Sequence, residues 1–266
     1  MYERILIGYQ ETAEGRDALA LGALLARACK AELIQVTAQS DDGETLAQLA
    51  QLNRADLIVI GASHRGPVGR VFPGATVERL LGEAPCAVAV APPEFSRHED
   101  GDTRWSPLSG NLDDIGMRVI GVGYDGTPAS AVALRSAAEL AVVNGAAMRV
   151  YTVARKYAHG PGSDADAALS PGMPTEAEVL RQMLHEAVGT VPSEARALPV
   201  FLRGFPAEEL IKACDAGVDL LVLGSRGGGP VRRKLHHSVT SLVMQAAKCP
   251  VLISPRGVSA PKPAMT

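Results

Sequence analysis

The sequence predicts an α/β protein made of two tandem doubly wound parallel-sheet domains, the first shortened to four strands and the second keeping five. Three observations support this prediction. Short apolar runs alternate with segments of helical length rich in Ala and Leu, which is typical of parallel sheets with right-handed crossovers. Much of the chain occurs twice. A length of 266 residues with 47% hydrophobic content is sufficient for two ordinary domains.

An internal repeat defines the two copies. Residues 5–37 align without gaps with residues 120–152, and residues 56–92 align without gaps with residues 219–255. The first two blocks are 115 residues apart and the second two are 163 apart, so the first copy lacks 48 residues after its second strand. One helix, one strand and a loop fit that gap.

The first copy, residues 1–92, is predicted to contain four strands. They are short apolar runs at residues 5–8, 33–37, 57–60 and 87–90. Residues 93–117 are polar and contain Asp and Gly turn signals without a regular period, so they are predicted to be a linker. The Pro- and Ala-rich residues 257–266 are predicted to be a frayed tail.

The second copy, residues 118–256, is predicted to contain five strands. They are placed at residues 118–123, 147–153, 198–203, 219–223 and 251–254. Residues 155–174 are rich in helix breakers and are predicted to form a loop. Helices are predicted at 127–145, from a capping box at Thr175 and Glu178 to residue 191, from Pro206 in a first turn to residue 216, and at 238–247.

Composition excludes several classes of function. The net charge is −3 and aromatic residues make up 4% of the chain, so a nucleic-acid-binding surface is not expected. No apolar run reaches the roughly 18 residues of a membrane helix, and no signal peptide is recognised. The four cysteines lack a Cys-x-x-Cys spacing and are expected to be buried thiols. We therefore expect a cytoplasmic protein that does not associate with membranes.

Two loops of the second copy follow strands at the edge where sheets of this kind bind ligands. Asp125 ends the first strand, and its carboxylate is suited to accept a hydrogen bond from a base amine or a ribose hydroxyl. The second loop begins at Gly224 and is rich in glycine, so its backbone is suited to approach a phosphate at a helix start. The loop also contains basic side chains that would offset phosphate charge: Arg226, Arg232, Arg233 and Lys234. This pattern indicates a nucleotide site.

Each of these features also has a purely structural interpretation. Glycine-rich turns between strand and helix also occur for close packing alone. The basic residues of the loop also fit a solvated face at the start of a helix. His236 and His237 have no Cys, Asp or Glu partners at metal-ligand spacing, so a metal site is not predicted.

These residues resemble the universal stress protein family in its tandem two-domain form. The family pattern Gly-x2-Gly-x9-Gly-Ser/Thr is matched at Gly224, Gly227 and Ser238, and Asp125 matches the acid that contacts adenine. The resemblance implies an adenine nucleotide alpha hydrolase-like fold whose last strands pair, here within one chain. It also implies binding of ATP or AMP, with Mg²⁺ only alongside the nucleotide. The implied site is Asp125, Gly126, Thr127, Val153, Gly224, Arg226, Gly227, His237 and Ser238.

The chain departs from the family pattern in both copies. His237 stands where the pattern has its third glycine, so its side chain is placed to crowd the phosphate or to donate to it. In the first copy Gln10 replaces the acid, His64 the second glycine and Ala75 the hydroxyl residue, although Gly61 and Gly74 remain. We therefore expect a degenerate first site and nucleotide binding in the second copy only.

Two classes of function fit these residues. One is a stress-response sensor or regulator that binds an adenine nucleotide in the second domain and an unknown protein partner. The other is a ligand-free scaffold with both sites vestigial. An enzyme is not predicted, because Gly-x-Ser-x-Gly and the Gly-Lys-Ser/Thr ending of hydrolytic phosphate loops are lacking, although slow ATP hydrolysis stays open. The shortened copy is expected to expose its second strand as a partner surface, and a homodimer stays open.

Overall fold

A computed structural model of the chain describes residues 1–37, 43–62, 75–97, 117–155, 174–225 and 238–254. The strands among them are β1 (Arg4–Tyr9), β2 (Glu32–Thr37), β3 (Leu57–Gly61), β4 (Ala87–Ala91), β5 (Val119–Gly123), β6 (Ala147–Arg155), β7 (Ala197–Gly204), β8 (Leu220–Gly224) and β9 (Val251–Ser254). The α-helices are α1 (Ala13–Cys29), α2 (Gly43–Leu52), α3 (Ala75–Glu83), α4 (Pro128–Asn144), α5 (Glu176–Gly189), α6 (Pro206–Asp215) and α7 (Val239–Ala246).

The strands form one sheet in the order β2-β1-β3-β4-β9-β8-β5-β6-β7. All neighbouring pairs are parallel except β4 and β9, which are antiparallel. In that pair Ala89 lies opposite Leu252, and these two residues also correspond in the 163-residue repeat. A pseudo-twofold axis therefore passes between them. The last strands of the two copies pair within one chain, as the resemblance implied.

The predicted fold class is confirmed, with four strands in the first copy and five in the second. Described strand boundaries agree with the prediction to within one residue except at the end of β6, which continues two residues further to Arg155. The predicted capping box is present, because the Thr175 hydroxyl accepts from the Glu178 amide and the Glu178 carboxylate accepts from the Thr175 amide. Most of the predicted loop 155–174 lies outside the described residues.

The two faces of the sheet bury separate apolar clusters. One lies under α1, α4 and α5, and the other under α2, α3, α6 and α7. All four cysteines are buried free thiols within these clusters. None of the helices in the described part of the chain is both long and apolar enough to span a membrane.

A matched aspartate ties neighbouring strands together in each copy. Asp56 accepts hydrogen bonds from the amides of Glu3 and Arg4 at 2.9 and 3.0 Å. Asp219 accepts from the amides of Arg118 and Val119 at 2.7 and 2.8 Å. These bonds satisfy backbone donors at the start of β1 and β5, just before the ladders with β3 and β8 begin at Ile5 and Ile120. The repeat therefore extends to polar contacts and not only to the apolar pattern.

The beginning of the predicted linker is anchored to the first copy. The buried carboxylate of Asp17 accepts hydrogen bonds from the Glu94 amide at 3.0 Å and from the Ser96 amide and hydroxyl at 2.8 and 2.7 Å. These bonds hold Phe95 in the core, where 2% of its surface is exposed. Residues 98–116 of the predicted linker and residues 257–266 of the predicted tail lie outside the described residues. The domain boundaries stay a prediction.

Candidate functional site

The carboxyl ends of β5, β6 and β8 and the N-termini of α4, α6 and α7 meet around a cavity of about 310 Å³. Helices that cross from strand to strand leave such a crevice beyond the carboxyl ends of a parallel sheet. The volume lies at the lower end of the range found for small-molecule sites. The predicted site residues that line this cavity are Asp125, Thr127, Val153, Gly224 and Ser238.

Asp125 lies in the loop after β5 and organises the start of α4. Its Oδ1 accepts hydrogen bonds from the Thr127 amide at 3.2 Å and from the Thr127 hydroxyl at 2.6 Å. Thr127 is the N-cap of α4, and its Oγ1 accepts from the Ser130 amide at 3.3 Å. The exposed carboxylate is thus fixed in orientation by its own loop, which lowers the entropy lost when it accepts a further bond from a ligand.

Gly126 separates these two residues and does not itself line the cavity. Its φ of +77° lies in the left-handed region that favours glycine. A Cβ at this position would lie 2.5 Å from Sδ of Met183 on α5. The contribution of Gly126 is therefore conformational: it allows the sharp turn that brings the Thr127 hydroxyl back to Asp125.

Gly224 has a packing reason to be glycine that is independent of any ligand. A Cβ here would lie 2.4 Å from the carbonyl carbon and oxygen of Ala129 and 2.7 Å from the Ser130 nitrogen. Gly61, its counterpart in the first copy, faces the backbone of Glu14 on α1 in the same way, at 2.1 Å. Close packing is therefore sufficient to explain why position 224 is a glycine. This packing role does not exclude a role in binding, because Gly224 also borders the cavity.

Ser238 lies at the opposite side of the cavity as the N-cap of α7. Its hydroxyl accepts a hydrogen bond from the Ser241 amide at 3.0 Å. Thr240 and Ser241 in the first turn of the helix also line the cavity. The first amides of α4, α6 and α7 have no partner within their own helices, and each N-terminus carries partial positive charge. Three such helix starts at one cavity favour an anionic ligand.

The wall next to β6 is largely apolar, with the charged Arg155 beside it. Val153 and Arg155 extend beyond the end of β5, while Leu180 from α5 and Leu210 from α6 complete the wall. Tyr151 also lines the cavity, and burial raises the pKa of its phenol, opposed by a hydrogen bond with Arg149. This tyrosine therefore remains a neutral hydrogen-bonding group at physiological pH.

Several lining residues were not predicted from the sequence. Arg155 and Ser225 each lie two residues beyond the end of a predicted strand, at residues 153 and 223, so their place near the carboxyl edge was an available signal. Leu180 lies on α5, whose start was predicted, but nothing in the sequence shows which residues of that helix line the cavity. Leu81 belongs to α3 of the first copy, so the second-copy cavity is closed in part by the other half of the chain.

Three predicted site residues, Arg226, Gly227 and His237, lie outside the described residues, as do His64 and Gly74 of the first copy. Within the described lining, Asp125 is the single acidic side chain. No group of three or more His, Cys, Asp or Glu residues suited to a metal ion occurs in the described parts of the chain. A Mg²⁺ ion at this cavity would accordingly take most of its ligands from phosphates and water.

The model of the universal stress protein family matches residues 35–92 and 116–255, well over half of the chain. The chain belongs to the universal stress protein family. Universal stress protein Rv2319c of Mycobacterium tuberculosis is 28% identical over 205 residues, which are 76% of this chain and 64% of the relative. The chain thus spans 64% of the length of that curated relative.

Two solved structures that cover nearly the whole chain show the same fold. A universal stress protein from Archaeoglobus fulgidus DSM 4304 matches with a TM-score of 0.62 and 14% identity, over 96% of this chain and 97% of its own. A functionally unknown protein of Pseudomonas aeruginosa, PA1789, matches with a TM-score of 0.64 and 14% identity, over 96% and 92%. The Archaeoglobus fulgidus universal stress protein in complex with dAMP is 25% identical over 52% of this chain and 97% of its own, with a TM-score of 0.38.

Proposed function

We propose that this member of the family binds an adenine nucleotide in the cavity of the second copy and acts as a stress-response sensor or regulator, not as a catalyst. One observation carries the proposal: a fixed carboxylate, an apolar wall and three helix N-termini border the same cavity. A nucleotide requires these three environments together, since it has a hydrogen-bonding base, an apolar base face and an anionic phosphate.

Each part of the cavity suits a different part of the ligand. The base packs against Val153, Leu180 and Leu210, which exclude water from its faces. Asp125 accepts a hydrogen bond from the base amine or from a ribose hydroxyl. The phosphate lies towards Ser238 at the start of α7, where unpaired amides and the hydroxyls of the first turn supply donors.

The hydroxyls around the cavity support binding more than catalysis. The Ser130 hydroxyl already donates to the Thr127 carbonyl at 2.9 Å, and Ser238 caps α7 by accepting from the Ser241 amide. The described lining contains no histidine to act as a base beside a serine nucleophile. A regulatory role follows, in which the bound nucleotide stabilises one arrangement of the loops and so changes the surface offered to a protein partner. We propose the cytoplasm as its location, in keeping with four reduced thiols.

Calorimetric titration of the full chain with ATP, ADP and AMP tests this proposal, with GMP as the base-specificity control. One nucleotide per chain is expected. Asp125→Asn keeps the shape of the loop but removes a charged acceptor, so the affinity is expected to fall roughly tenfold or more. Gln10→Ala, the matched change in the first copy, is expected to leave the affinity unchanged. Absence of heat with all three adenine nucleotides at millimolar concentration would exclude the proposal.

A ligand-free scaffold is the second candidate, and the packing role of Gly224 favours it, because that glycine is required even with the cavity empty. The test is His237→Gly, which restores the third glycine of the family pattern. Nucleotide binding in this variant and not in the parent chain supports the scaffold. Equal binding in both removes it.

A further inference from the structure

The shortened first copy leaves β2 at an edge of the sheet. Among the described residues its strand neighbour is β1 alone, whereas the matched strand β6 is covered by β7. The Glu32 amide donates to the Glu3 carbonyl at 2.8 Å, so Glu32 directs its backbone groups at β1. The amide and carbonyl groups of successive residues point alternately to the two sides of a strand. The amide and carbonyl groups of Leu33, Gln35 and Thr37 therefore point away from the sheet.

The opposite edge, β7, is protected against strand pairing. The Ala147 amide donates to the Arg118 carbonyl, so Ala147 faces β5 and the alternating residue Val150 faces β7. Pro199 lies opposite Val150, which places the proline nitrogen on the outer side of β7. That position has no N–H to donate, and proline at such a position is a known obstacle to edge pairing. β2 contains no proline and a single charged residue, Glu32.

We propose that β2 is the dimerisation surface of this protein and pairs antiparallel with β2 of a second copy, centred on Gln35. Only residues with outward backbone groups form hydrogen-bonded pairs, and only one register uses all three of them. It places Gln35 opposite Gln35 of the other copy and Leu33 opposite Thr37. Each of the three pairs exchanges two backbone hydrogen bonds.

Side chains in this register are complementary on both faces of the sheet. On the α1 face, Leu33, which is 38% exposed, gains a neighbour in Thr37. On the other face Ile34 lies opposite Val36, and both are half-buried β-branched residues. The Glu32 side chains do not meet, since in this register each lies one position beyond Thr37, the last described residue of β2 in the other copy. No like charges are opposed, so a second copy fits this edge.

The dimer would join two sheets by the geometry already present inside one chain. β4 and β9 pair antiparallel about a pseudo-twofold axis, and β2 would pair with its copy about a true one. The shortening of the first copy would then be what leaves β2 available as the dimer interface. This inference is independent of nucleotide binding.

Sedimentation equilibrium of the full chain tests the dimer, with variants that introduce a charge at Gln35 in its centre. Gln35→Glu and Gln35→Lys each place like charges opposite one another, so each alone is expected to weaken dimerisation roughly two- to fivefold. Mixing the two variants is expected to restore or exceed wild-type dimerisation. Leu198→Glu on β7 is the matched edge control and is expected to leave the dimer unchanged. Circular dichroism verifies that each variant is folded.

A second variant tests the backbone pairing itself. Gln35→Pro removes an outward N–H from each copy and is expected to weaken dimerisation roughly tenfold or more without disturbing the β1 ladder. A monomeric wild-type chain at millimolar concentration overturns the proposal. So does a dimer that is insensitive to charge at position 35, or a β2 edge that binds an extended peptide from another protein while the chain stays monomeric.

Discussion

Replacing Gly224 by alanine separates the packing role of the glycine-rich turn from its role in binding. The new Cβ would lie 2.4 Å from the Ala129 carbonyl group, about 1 Å closer than an ordinary contact. The atoms that it meets are backbone atoms of the first turn of α4, which do not rotate away. The turn must shift, at a cost of about 1–3 kcal/mol in the free energy of unfolding. For a chain of this size that cost lowers the melting temperature by roughly 3–10 °C.

Gly61→Ala is the matched control, because its Cβ would lie 2.1 Å from the Glu14 carbonyl oxygen in the first copy. Urea and thermal unfolding followed by circular dichroism are expected to show a loss in both variants. Nucleotide affinity is expected to fall in Gly224→Ala alone, since the displaced turn carries Thr127 and Ser130, whose hydroxyls border the cavity. Unchanged stability in both variants would refute the packing argument.

Three further predictions concern stability. Lys30 ends α1 with a φ of 55°, where the second copy has Gly145 with a φ of 60°, so Lys30→Gly is expected to stabilise and Gly145→Lys to destabilise the chain by about 1 kcal/mol in urea unfolding. Asp17→Ala removes the buried acceptor of the Glu94 and Ser96 amides and is expected to cost about 1–2 kcal/mol, with faster proteolysis beside Phe95; an unchanged urea midpoint contradicts this. Burial raises the pKa of the Cys86 thiol from 9.0 to about 12, so the unfolded thiol ionises first and this group alone is expected to lower the free energy of unfolding by about 1 kcal/mol between pH 8 and 10. Burial also raises the pKa values of Cys29 and Cys249, so Cys86→Ala is expected to reduce the slope by its own share and not to abolish it.

The central strands of the sheet could be predicted from the sequence because they are buried on both faces. Runs such as Leu57–Gly61 and Leu220–Gly224 are apolar throughout and are bounded by polar or glycine residues, so their ends are sharp. The end of β6 was placed too early because Ala154 and Arg155 carry no apolar pattern. They are held in the strand by pairing with β7, and that contact is not visible in the local sequence.

The candidate site was predictable only where its residues follow strands. Asp125 and Gly224 follow predicted strands, which indicated them from the sequence, and Ser238 at a helix start was indicated by the resemblance to the family pattern. Leu81 comes from the other copy and reaches the cavity through the pseudo-twofold arrangement, which a single copy does not encode. The contact of Asp17 with the start of the linker is likewise long-range, and a charged residue inside a helix gives no signal of it.

In the part of the chain that the structure describes, the shortened copy has no counterpart of the wall formed by the end of β6 and by α5, and it also departs from the family pattern in sequence. In the second copy β6 continues past Thr152, and Val153 and Arg155 pair with β7, while Leu180 stands on α5. The described part of β2 reaches Thr37, the counterpart of Thr152, and among the described residues the first copy has neither a strand in the place of β7 nor a helix in the place of α5.

Replacing Gln10 by an acidic residue is therefore not expected to restore a nucleotide site in the first copy. Gln10→Asp supplies the carboxylate, yet the base would still lack the wall against which it packs and would stay in water. Calorimetric titration is expected to give one adenine nucleotide per chain for this variant, as for the parent. If Gln10→Asp bound a second nucleotide with comparable affinity, the first site would have been inactivated by the replacement of its acid. The lack of counterparts of α5 and β7 in the described part of the first copy would then not be the cause.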